Sequence, residues 1–374
     1  MTTIKTRNND VDIIRMVALV GICVVNVPYM ALPEAVVMAP SKAEFWDWAW
    51  SFFLMSFAGL KFFLLFSFIF GWGMAIQQKS AAAKNQNFAR RYFGRMTGLA
   101  VLGVAHAILV FNGDILLLYA LLGCFLWMIK DHSPRALMKI AGWMVPVSMC
   151  CLILMGGLFW FYEDTASTLL EAAGYGGHYL EATQQRFLNW PEIFIFLLFM
   201  QGPLVFGAFA AGLAAAKSDF FCADSYGFNF LAEKWPLLVA IALPLNLLFA
   251  AAILDMFAES YEILTLLGFI LIPIAAPALS VVYLYCLVRF ARTVQLPTLL
   301  VLAGRNSLST YVLQGILGGM VFGAYGFGLF NSIGHAGLVP LSLVIAFSAM
   351  LCVGVYASIF GHGPLEPVLR RFSR

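Results

Sequence analysis

Charge is scarce in this sequence. Asp, Glu, Lys and Arg make up 11% of its 374 residues, against about 25% in soluble domains, while hydrophobic residues reach 62%. That balance excludes a soluble globular chain. Cysteine occurs seven times, but with no Cys-x-x-Cys, no Cys/His pair at zinc spacing and no outer-loop pair for a disulfide. The cysteines therefore read as small core residues, and no metal site is expected. Histidine occurs five times and never as a pair inside the apolar runs, which argues against haem or quinone redox chemistry. The net charge is only +3, so no nucleic-acid partner is expected. The sequence also lacks low-complexity tracts and any repeat of 20–50 residues.

What it has is apolar length and aromatic rings, with 35 Phe and nine Trp. A spanning helix needs about 20 apolar residues. Qualifying runs lie near 12–32, 59–77, 92–111, 115–129, 138–162, 191–216, 236–257, 263–289, 308–330 and 338–360. The expected fold class is an all-α polytopic membrane protein of about ten transmembrane helices, folded as a single integral membrane domain over 1–374. The lipid bilayer is then its first partner. The first run follows Arg15 and is preceded by Asp10 and Asp12, so it reads as a retained helix and not as a signal peptide. Residues 44–58 (EFWDWAWSFFLMSFA) predict an interfacial or partly re-entrant helix feeding the second span.

All of the 22 Lys and Arg but three lie on inner flanks if the N-terminus is inside. Lys42 and Arg186 are outer, and Lys61 falls within the second span. The positive-inside rule therefore predicts cytoplasmic N- and C-termini. The longest outer loop, 163–190, suggests either an amphipathic piece over the outer mouth or an ordinary connector, with a Gly-Tyr-Gly-Gly hinge inside it.

Polar residues within apolar runs are expensive and mark candidate sites. In RMTGLAVLGVAHAILVFNGDILLLYALLG (95–123), two apolar runs meet at Asn112-Gly113-Asp114, read as an outward-facing turn. His106 lies roughly 10 Å below Gly113 along the helix, in the outer half of the bilayer. Arg95 precedes it by close to three helical turns, so both share one face, with Gly98 and Gly103 opening space beside it. A polar groove crossing much of the membrane is one reading; a histidine that locks helix packing is the other. Asp114 reads as a helix cap or as the group that orients His106. Asn112 and Tyr119 flank it. Lys61 should snorkel near the outer end of the second span, at a depth similar to Asn26 and Pro28.

On the inner side, Asp12 and Arg15 share a helical face, and Arg90, Arg91 and Arg95 cluster on the third span. AGRNSLSTYVLQG (303–315) adds Arg305, Asn306, Tyr311 and Gln314. Such arginines satisfy the positive-inside rule and equally suit the phosphates of a cytosolic donor. Gly315, Gly319 and Gly323 read as close helix packing, also leaving room for a homodimer. Pro273 and Pro277 should kink the eighth span.

Four blocks carry a family resemblance. VDIIRMVALVGICVVNV (11–27) resembles the pattern LDxxRGxALLGILLVN. LKFFLLFSFIFGWG (60–73) resembles KFxxLFSxLFGxG. HAILVFNGDILLLYALLG (106–123) resembles HxLLxWxGDILxxYALxG. GRNSLSTYVLQ (304–314) with GPLEPVLRR (363–371) resembles GRMALTNYLLQ and GPxEWLWR. These are patterns of the YeiB family of bacterial inner-membrane proteins. Met16 replaces a family Gly, and Phe111 and Pro367 replace family Trp residues. The resemblance implies a multi-pass protein of the bacterial inner membrane, related in fold to transmembrane acyltransferases such as lysosomal heparan-glucosaminide N-acetyltransferase.

It further implies acetyl-CoA or another acyl-CoA as cytosolic donor and a small-molecule or glycan acceptor on the other face. The lysosomal enzyme carries its essential histidine between the first two spans, where residues 27–60 have none, so His106 would take that role. On this reading His106 and Asp114 are catalytic. Arg15, Arg95, Arg305 and Asn306 bind the donor, and Asn26, Lys61, Asn112, Tyr119, Tyr311 and Gln314 line the passage. The alternative is a transporter or channel passing a small polar or anionic solute along the same residues.

Overall fold

The computed structural model describes residues 9–33, 36–37, 44–161, 177–222, 224–257 and 262–373. The helices are α1 (Asn9–Ala31), α2 (Phe45–Phe57), α3 (Lys61–Ala83), α4 (Phe88–Leu109), α5 (Leu116–Met128), α6 (Pro134–Phe161) and α7 (Tyr179–Lys217). They continue with α8 (Tyr226–Ile253), α9 (Glu262–Thr293), α10 (Thr298–Arg305), α11 (Ser307–Phe322), α12 (His335–Phe360) and α13 (Glu366–Phe372). Among the described residues, eight helical stretches are long and apolar enough to cross a membrane, with α2 and α3 forming one of them. Two shorter apolar helices, α5 and α11, fall on the remaining expected spans. The protein is an all-α polytopic membrane protein.

Two boundaries differ from expectation for physical reasons. Residues 179–190, read from their polarity as loop, open the 39-residue helix α7. Glu181 starts it by accepting from the His178 amide at 3.0 Å. Residues 163–176 of the expected loop, with most of its glycine hinge, lie outside the described residues. The ninth expected span stops early, since α11 ends at Phe322 and Gly323, Gly326 and Gly328 fold the chain back on it. There the Phe327 amide donates to the Met320 carbonyl (2.8 Å) and the Phe330 amide to the Phe322 carbonyl (3.0 Å). Pro273 and Pro277 lie within α9, which continues through both.

The main core joins α1, α3, α4, α5, α7 and α11 around Leu19, Phe63, Tyr92, Leu118, Tyr119 and Phe209. α3 and α7 cross at backbone contact. A Cβ at Gly71 would strike the Phe209 carbonyl, and one at Gly212 the Phe68 carbonyl. Without a hydrophobic drive between helices in lipid, such close approach supplies the dispersion contacts that hold them.

Candidate functional site at the α4–α5 hinge

The site is built from a helix end. The His106 carbonyl accepts from the Val110 and Phe111 amides, both at 2.9 Å, and α4 stops there. After Asn112-Gly113, Asp114 reaches both ways. Its Oδ2 accepts from the Leu116 (2.8 Å) and Leu117 (3.1 Å) amides, satisfying free donors at the start of α5. Its Oδ1 lies 2.9 Å from His106 Nδ1. The two roles left open for Asp114, cap and orienting group, are thus held at once. Gly103 makes room for this: a Cβ there would sit 2.8 Å from Asp114 Oδ2 and 2.5 Å from the Leu117 nitrogen. The space beside Gly103 is therefore filled by the carboxylate, and that beside Gly98 by Leu369 and Phe372, so neither glycine opens a groove.

The hinge is buried, with Phe111 4%, Asn112 5% and Asp114 2% exposed. Just before it, α7 caps the end of α4. Arg186 donates from Nε to the Ile108 carbonyl (2.9 Å) and from Nη2 to the Leu109 carbonyl (3.2 Å). The Tyr179 hydroxyl donates to the same Leu109 carbonyl at 2.9 Å. The last carbonyls of a helix need partners from outside it, and α7 supplies them here. Arg186, counted by charge as an outer flank, is fully buried as the cap of α4. Replacing it with Met should cost roughly 2–3 kcal/mol, the loss of charge-assisted bonds to buried carbonyls, measurable as reduced stability in detergent.

A carboxylate oxygen accepts, so Nδ1 of His106 carries the proton and Nε2 presents its lone pair in the neutral ring. Nε2 is buried and, among the described residues, has no hydrogen-bond partner. It borders a cavity of ≈ 10 Å³, lined also by Cys23, Asn26, Val27 and Met30 of α1, by Phe111, and by Tyr311, Gln314 and Gly315 of α11. That volume suits about one water molecule. Gln314 donates to the Leu19 carbonyl at 3.3 Å, and its Oε1 is also without a partner. Gly315 packs against the imidazole, where a Cβ would lie 2.6 Å from Nε2. Its absent side chain serves the site as well as helix packing.

The expected passage divides. Asn26, Tyr311 and Gln314 reach the cavity. Asn112 is buried in the hinge, with Nδ2 unpartnered. Lys61 does not belong to the cavity and does not snorkel. Fully buried, it donates to the Met55 carbonyl at 2.8 Å and sits 5.9 Å from the Phe249 ring centre. There it caps the C-terminal end of α2, where a cation is favoured. Tyr119 turns toward α3, pairing with Ser67 Oγ at 2.6 Å and donating to the Phe63 carbonyl at 3.2 Å. It shares no hydrogen bond with Asp114.

At the other end of these helices Asp12, 1% exposed, lies 2.7 Å from Arg305 Nε and 3.4 Å from Arg15 Nη1. Arg95 sits apart from this cluster, its guanidinium 5.7 Å from the Phe70 ring centre and its buried Nε unpartnered. Asn306, expected at the donor, is engaged by the fold: its Oδ1 accepts from the Gly363 amide (2.7 Å) and its Nδ2 donates to the Leu302 carbonyl (2.9 Å). Beside it, Ser309 Oγ donates to Glu366 Oε2 (2.5 Å) and accepts from the Leu365 amide (2.9 Å). Sequence reasoning missed Ser309, Glu366, Ser67 and the capping role of Arg186. The signal for Glu366 was a lone acid in a basic tail.

The sequence was compared with known proteins. Residues 215–374 match the family described as Protein of unknown function (DUF418). The chain is 26% identical over 393 residues to the uncharacterized protein YxaH of Bacillus subtilis (strain 168), covering 98% of this chain and 94% of that one. It is 25% identical over 388 residues to the uncharacterized protein YeiB of Escherichia coli (strain K12), covering 98% and 96%. These matches support membership of the YeiB family. No solved structure matches the chain. The four motif blocks meet in space. Asp12 of the first pairs with Arg305 of the last, Ser67 of the second with Tyr119 of the third, and His106 of the third packs against Tyr311 of the last with ring centres 5.1 Å apart.

Proposed function

We propose that this protein is a transmembrane acyltransferase of the bacterial inner membrane. With both termini cytoplasmic, it moves an acetyl group from cytosolic acetyl-CoA to a hydroxyl or amine acceptor at the outer face. The observation that carries the reading is the buried Asp114–His106 pair, with Nδ1 held on the carboxylate and Nε2 left to a cavity. This is the arrangement of an oriented general base. As the acceptor oxygen or nitrogen attacks the thioester carbonyl, its proton passes to Nε2. The new bond forms, the C–S bond breaks, and the CoA thiolate takes up a proton as it leaves.

Arg15 and Arg305 suit the donor phosphates. Two guanidiniums lie at one Asp12 carboxylate, and their side chains are 22% and 33% exposed. Arg95 lies further along α4, about 16 Å from His106 by helical rise, on the side from which a thioester arm would approach. Asn306 shapes this end indirectly, through its bond to Gly363.

Calorimetry with the purified protein tests the donor assignment. Acetyl-CoA should bind, and Arg305→Ala should weaken binding about tenfold or more, as expected for a lost charge-assisted phosphate contact. No binding at millimolar acetyl-CoA would overturn the reading.

A further inference from the structure

Helix α11 touches the His106–Asp114 pair at both ends. Tyr311 and Gly315 are one turn apart and share a face. Gly315 lies against Nε2, and Tyr311 lies against the imidazole ring and the Ile115 amide. Tyr311 is 4% exposed, with its ring tilted 46° to that of His106. Its hydroxyl oxygen accepts from the Ile115 amide at 3.4 Å, one residue beyond Asp114.

We propose that Tyr311 is a positioning residue that holds the Asp114–Ile115 turn, and through it the imidazole of His106, in the orientation that presents Nε2 to the cavity. The restraint comes from a helix outside the hinge. Ile115 follows Asp114 in the turn whose geometry sets the pair, and Tyr311 meets both the Ile115 amide and the His106 ring from α11. The start of α11 is itself fastened by Asn306 to Gly363 and by Ser309 to Glu366. The tail motif and the catalytic pair are thereby joined through one rigid helix. In its kinetic consequence the inference rests on the acyl-transfer reading; in its geometry it does not.

The test reads the His106 Nδ1–H proton and nitrogen resonances in protein labelled on histidine and reconstituted in nanodiscs, assigned by their loss in His106→Gln. Tyr311→Phe keeps the ring and removes the hydroxyl, and it should move both resonances. Tyr119→Phe removes another fully buried tyrosine hydroxyl and should leave them in place, so a general loss of stability cannot imitate the effect. Incorporation of 3-fluorotyrosine keeps every hydroxyl but makes it a stronger donor, and it should also move the resonances if Tyr311→Phe does not fold. Acetyl transfer by Tyr311→Phe should show kcat reduced about tenfold or more, as a misaligned base predicts, with KM nearly unchanged. Resonances that superimpose on wild type in Tyr311→Phe, or in the fluorinated protein, overturn the proposal. If they move while wild type transfers no acetyl group, the positioning role stands and the acyl-transfer reading falls.

Discussion

Asp114→Ala is expected to cost about 3–5 kcal/mol of stability, because several buried hydrogen-bond donors lose their one acceptor together. The size follows from what the carboxylate holds. Without it, His106 Nδ1–H and the Leu116 and Leu117 amides lose their acceptor in a hinge that is closed to water. Each orphaned buried donor carries a penalty of about 1–3 kcal/mol. Asp114→Asn should cost less, because the amide oxygen still accepts from α5, while its NH₂ cannot accept from His106 Nδ1–H. Thermal unfolding in detergent should place wild type first, Asn second and Ala last. Equal stability of Ala and wild type would mean that the hinge is satisfied by other groups.

His106→Ala should reduce acetyl transfer by about 10²–10⁴-fold, the usual contribution of a positioned general base. His106→Gln is the more telling variant, since it fills much of the same volume and can still donate to Asp114, but it offers no base at the Nε2 position. It should fold and bind acetyl-CoA like wild type while losing the same activity. Steady-state rates with hydroxylamine, a small general acceptor, separate the two effects. Gln should lower kcat and leave KM for acetyl-CoA nearly unchanged. If His106→Gln turns over at the wild-type rate, His106 is a packing residue.

How much of this was legible in the sequence differs by residue. Apolar runs mark where helices must lie, because the backbone of a membrane span can satisfy itself only within a helix. The prominence of His106 and Asp114 follows from the cost of polar groups in such runs. The burial around their hinge does not, because no linear pattern points to Arg186 and Tyr179 of α7, which bond the Ile108 and Leu109 carbonyls just before it. Those residues stand more than sixty positions away, in a segment whose polarity reads as loop.

Lys61 and Tyr119 show the same limit in the opposite direction. Each looks like a passage residue by depth, and each is bound to a carbonyl of α2 or α3 that no linear pattern points to. Gly103 invites a reading as a gap and Gly315 as helix packing, but one receives the Asp114 carboxylate and the other the edge of His106. Residue type told which groups need partners. Only the packing of distant helices told which partners they find.

The most direct test of the account follows the acetyl group across the membrane. Inside-out vesicles containing the protein are loaded with glucosamine and given labelled acetyl-CoA outside only. Wild type should accumulate labelled N-acetylglucosamine in the lumen, and His106→Gln in the same vesicles should accumulate none above the protein-free background. Wild-type vesicles that bind acetyl-CoA yet pass no label to glucosamine or to hydroxylamine, or His106→Gln vesicles that match them, would contradict it.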